Sequence, residues 1–62
     1  MNKGMNYDRL GLIKEYAEQA REDIARDNPE SNIVRQMRYI KETISDIEQD
    51  IGVSAKKEEL EE

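Results

Sequence analysis

The chain contains no cysteine and no histidine. Disulfides are therefore excluded, and so are the thiolate and imidazole ligand sets of the usual zinc, copper and haem sites. Tryptophan and phenylalanine are also missing, which leaves three tyrosines as the whole aromatic inventory. No apolar run approaches the roughly 18 residues of a membrane span. Positive charge is in deficit: 10 Lys and Arg stand against 15 Asp and Glu, for a net charge of -5. General polyanion binders are basic, so nucleic acid and anionic membrane are not the expected primary partners. The opening residues, MNKGMNYDRL, have no apolar h-region. No signal peptide is expected, and a cytoplasmic location follows as the default.

With 62 residues the chain makes one domain at most. A domain of this size buries only about 60% of its unfolded surface. Small domains lean on disulfides, a metal or a partner chain. The first two lack their ligands here, which leaves oligomerisation.

What is present is an order in the apolar residues. From Ile33 they fall at Met37, Ile40, Ile44, Ile47 and Ile51, at alternating steps of four and three. Upstream, Leu10, Ile13, Ala17, Ala20 and Ile24 keep the same rhythm. That spacing is the signature of one face of an α-helix. The two runs are separated at Arg26–Glu30 by Pro29, which cannot continue a straight helix and pushes Asn28 out of the α region. Two helices are expected, at about 8–27 and 29–51. Residues 1–6 would form a frayed arm, and Asn6 or Asp8 would cap the first helix. Asn28 would cap the second, with Pro29 as its first residue and Glu30 in its first turn. Gly52 is the natural left-handed stop, with Val53 folding back on Ile47. Gly11 weakens the first helix by about 1 kcal/mol relative to Ala, which a close helix contact would explain. Residues 1–53 then form the helical unit, and the acidic tail 54–62 is expected to be disordered or frayed.

So short a connection implies an antiparallel αα-hairpin. The implied pairs are Ile24 with Ile33, Ala20 with Met37, Ala17 with Ile40, Ile13 with Ile44, and Leu10 with Ile47. Glu18 and Glu22 would lie near Arg35 and Arg38, and Arg9 near Glu48. The first helix carries Leu12 and Tyr16 beside Ile13, an apolar arc wider than one partner helix covers. The fold class is thus all-α, a two-helix hairpin expected to homodimerise into a four-helix bundle, with Leu12, Ile13 and Tyr16 as the dimer contact.

No catalytic constellation accompanies this pattern. Glu15, Glu18 and Glu22 share a helical face, but a di-iron bundle needs Glu-x-x-His and a calcium loop needs its glycine. Interleaved Lys14, Arg21 and Arg26 make this a solvated surface. Ser31, Thr43, Ser45 and Ser54 have no base beside them. An enzyme is therefore not expected, and no metal or cofactor. The expected function is a small interaction or regulatory protein that binds and modulates a larger protein, with inhibition as one form. Bacterial, plasmid and phage accessory proteins act in this way. Val34 and Tyr39 are the candidate partner-binding residues. Alternatively, Arg35, Arg38 and Lys41 form a basic stripe through which a dimer would hold RNA by its phosphates. A third alternative is a structural assembly subunit.

Overall fold

A computed structural model describes residues 1–61, with side chains placed as far as Gly52. Among the described residues there are two helices and no strand: α1, Lys3–Ala25, and α2, Glu30–Glu61. They pack against each other as a hairpin. Its extents of 52 × 18 × 12 Å are those of a single layer two helices wide.

α1 begins earlier than its apolar rhythm implies. Asn2 is the N-cap, with extended backbone (φ -89°, ψ 97°), and its Oδ1 accepts from the Met5 amide at 3.0 Å. That is the standard bond from an N-cap side chain to the third helical residue. Neither Asn6 nor Asp8 caps the helix, and 3–6 are its first turn rather than a frayed arm.

The corner is a Schellman motif without glycine. The Asp27 amide donates to the Ile24 carbonyl at 3.2 Å and the Asn28 amide to the Asp23 carbonyl at 2.9 Å. These are the paired backward bonds that satisfy the last carbonyls of a helix. Asp27 takes the left-handed position at φ 55°, where Asp is better tolerated than most residues. An apolar contact usually spans the outer residues of this motif. Here Asn28 Nδ2 donates to Asp23 Oδ1 at 2.9 Å instead. Asn28 thus braces α1 with its side chain, and the cap it was expected to give α2 is not made among the described residues. α2 enters through Pro29, whose carbonyl accepts from the Asn32 amide at 3.0 Å, with Glu30 in the first turn.

α2 does not stop at Gly52. The backbone stays helical through Glu61, and Gly52 has no positive φ. The residues expected to form the tail are therefore helical as far as Glu61, while Glu62 lies outside the described residues. Gly11 departs from expectation too. A Cβ built on it meets nothing within 4 Å, so no close helix contact accounts for it.

The hairpin forms near the expected register, but both helices are rotated about their axes. The residues turned inward on α1 are Asn6, Arg9, Ile13, Tyr16, Ala20 and Asp23. On α2 they are Ile33, Gln36, Ile40, Thr43, Ile47 and Asp50. Each set keeps the helical rhythm of threes and fours, yet about half of each is polar. Leu10, Ala17, Ile24, Met37 and Ile44, all expected in the seam, are exposed. Ile47, at 8% exposure, is the one buried hydrophobic side chain among the described residues.

Polar groups hold the rotated seam. Asn6 is buried, and its Nδ2 donates to Asp50 Oδ2 at 2.7 Å while its Oδ1 accepts from Arg9 at 3.0 Å. The Asn2 amide donates to the same Asp50 oxygen at 2.9 Å. Two donors, led by the backbone N–H of Asn2 and then Asn6, lower the Asp50 pKa below its ordinary value. Midway along the seam the rings of Tyr16 and Tyr39 lie 5.3 Å apart, tilted by 36°. Such an aromatic pair contributes about 0.5–1.5 kcal/mol beyond area burial. Thr43 returns its hydroxyl to the Tyr39 carbonyl at 2.8 Å, satisfying itself within α2. Gln36 Oε1 is buried with no donor.

Candidate interaction surfaces

The rotation decides which surfaces the hairpin presents. Leu10, Ala17 and Ile24 stand roughly 50–90° round α1 from the middle of its seam. Met37, Ile44 and Ile51 stand roughly the same angle round α2, in the same sense of chain advance. The helices run in opposite directions, so equal rotations bring both strips to one side of the layer. This isoleucine flank is apolar along its length, and its large side chains are between 39% (Ile44) and 61% (Ile24) exposed. Near the corner, Ile24 and Ile33 line one shallow cleft with Pro29.

The other side of the layer is the tyrosine flank. The ring pair lies there, with Met5 and Leu12 along α1. Asp23 and Asp50, at the seam edge, and Asp46 share this side. The three residues expected to make the dimer contact are separated: Ile13 and Tyr16 are half-buried along the seam, Tyr16 at its tyrosine-flank edge, whereas Leu12 is exposed on that flank.

The outward surface of α2 gathers the remaining candidates. Val34 and Tyr39 line a single shallow cleft with Ser31, Arg35 and Arg38. Lys41 adjoins it through a neighbouring depression shared with Val34, Met37 and Arg38. The two sets of residues singled out as protein-binding and RNA-binding are thus one continuous surface. The ion pairs expected to tie Arg35 and Arg38 to α1 are not formed among the described residues. Glu18 and Glu22 line an outward groove with Arg21 and Ala25 instead, on the far side of α1 from its seam. Arg9 bonds Asn6 rather than Glu48. Loss of the glutamate pairing leaves the basic cluster open to solvent.

No group of three or more potential metal-ligating side chains occurs among the described residues. No helix among them is long and apolar enough to cross a membrane. Comparison with protein-family models, curated proteins and solved structures gave no match.

The polar seam escaped sequence reasoning. Asn6 and Asp50 are 44 residues apart, and nothing local marks either as a partner. The one available signal was the phase of the tyrosines. Tyr16 and Tyr39 both fall on the same flank of their apolar stripes, so their pairing rotates both helices together.

Proposed function

We propose that this chain is a non-enzymatic interaction protein that self-associates as a four-helix bundle and, through the outward surface of α2, binds and modulates a larger protein. One observation carries the reading: the hairpin has almost no core of its own. Ile47 is buried, while five large apolar residues of the isoleucine flank stand open to solvent. Exposed contiguous apolar surface on a small domain is the mark of an association surface. Val34 and Tyr39 supply apolar and aromatic area beside two arginines, the composition favoured at the centres of protein interfaces. Affinity purification from the native cell followed by mass spectrometry identifies the partner. Replacing Val34 and Tyr39 together by Ala is expected to abolish its capture with helicity retained. Undiminished capture by the double variant refutes the assignment of that surface.

The uncovered basic cluster supports a second reading, an RNA-binding dimer using Arg35, Arg38 and Lys41. Phosphate binding weakens steeply with salt because counterions are released. Absence of any gel shift with structured RNA at low salt eliminates it.

A further inference from the structure

We infer that the isoleucine flank, Leu10, Ala17 and Ile24 with Met37, Ile44 and Ile51, is covered by the same flank of a second copy of this chain. The inference rests on the bundle reading above and specifies its interface.

The choice of flank follows from desolvation. The isoleucine strips themselves contain no ionisable group, and carboxylates border them at the corner, where Asp23, Asp27 and Glu30 line the cleft with Ile24 and Ile33, so covering the strips removes mostly hydrocarbon from water. The tyrosine flank carries Asp46 and Asp50 near the open end and Asp23 at the corner. A second apolar layer there would strip water from these carboxylates, of which Asp46 has no bonding partner among the described residues, and burying unpaired charge is costly. The rotation of the seam agrees with this choice. In a bundle each helix meets one neighbour within its layer and one across it, so its apolar stripe must divide between the two. Ile13, Ile40 and Ile47 serve the first neighbour, while the exposed strips are left for the second. Both strips repeat at seven residues, the period of knobs-into-holes packing between nearly aligned helices. Ala17 gives a large side chain from across the interface a place to sit between Leu10 and Ile24.

Size agrees as well. α1 has 23 residues, so it is about 34 Å long. Over the layer's 18 Å width the face measures on the order of 600 Å² in projection, close to the roughly 800 Å² per partner of a specific interface. The occupant must be present whenever the chain is folded, because without it one hydrophobic side chain is all the described core. A second copy meets that condition by construction, and two-fold pairs are the commonest assemblies.

The chain has no cysteine, so a single one can be placed at will. Two full-length variants, Ile44→Cys and Leu12→Cys, are labelled with a maleimide at rising protein concentration, beside sedimentation equilibrium of the unaltered chain. The expected result is a dimer, with the thiol at position 44 protected as the dimer forms and the thiol at position 12 reactive throughout. At 100 times the dissociation constant, labelling at position 44 slows about tenfold, since mass action leaves on the order of one chain in ten monomeric. A folded monomer at micromolar concentration overturns the bundle reading, and this inference with it. A dimer in which position 12 is protected and position 44 is not overturns the inference alone and returns the interface to Leu12 and Tyr16.

Discussion

Replacing Gly11 by Ala tests whether α1 has a bare outward side. Gly11 lies inside α1 without positive φ, and a methyl group there meets nothing within 4 Å. Round the helix it stands about 170° from the middle of the seam, and so also away from the isoleucine flank. No packing energy is therefore gained or lost, and the change isolates backbone propensity. Gly in a helix interior is less favourable than Ala by about 0.8–1.0 kcal/mol. For a domain of this size 1 kcal/mol moves Tm by about 4–8 °C. Thermal unfolding of Gly11→Ala followed by far-UV circular dichroism should show that increase. Protein concentration must be matched to the unaltered chain, because association itself shifts Tm. Gly52→Ala, which also meets nothing within 4 Å, should shift Tm in the same direction. A Tm for Gly11→Ala equal to or below that of the unaltered chain refutes the reasoning. The outward side of α1 would then be packed against something a methyl group obstructs.

Two further predictions concern the ends of the hairpin. Asp27→Gly relieves the left-handed strain at φ 55° and should raise stability by about 0.5–1 kcal/mol, whereas Asp27→Val should lower it by about 1–2 kcal/mol; urea titration reads both, and equal midpoints for the two would refute the corner geometry. At the open end, the folded-state pKa of Asp50 is depressed, so its contribution is complete above the ordinary carboxylate value near 4. That contribution fades as pH falls through the lowered folded value. Asp50→Asn should therefore flatten the acid limb of a stability profile taken between neutral and strongly acid pH, and a limb parallel to that of the unaltered chain would count against the Asn2–Asn6–Asp50 cluster.

The hairpin itself was legible because Pro29 splits two runs of helical period, and no other reading of that break fits so short a connection. The helix ends were less so. Asn2 precedes Lys3 and Gly4, poor advertisements for a helix start, yet its side chain needs only the Met5 amide. Gly52 carries the usual stop signal, but glycine permits a left-handed residue without requiring one, and α2 continues through it. The corner has the opposite character: its left-handed position is filled by Asp27, which sequence alone does not distinguish from any other aspartate. The seam's rotation was marked only by the phase of the two tyrosines, because hydrophobic spacing fixes which residues share a stripe and leaves open which edge of it meets the neighbouring helix. Polar contacts far apart in sequence, Asn6 with Asp50 above all, choose that edge. The basic cluster was visible as a run, but its freedom from Glu18 and Glu22 depended on the same rotation.

The corner has a bearing on how this chain acquires its shape. Its closing bonds join residues only three to five positions apart, Ile24 to Asp27 and Asp23 to Asn28. Little chain entropy is spent in making them, so the bend can form early and the two arms zip outward from it. The Asn2–Asp50 bond, between residues 48 positions apart, closes late and opens first. Exchange of the Asn2 amide with solvent should accordingly be the earliest sign of an arm peeling away.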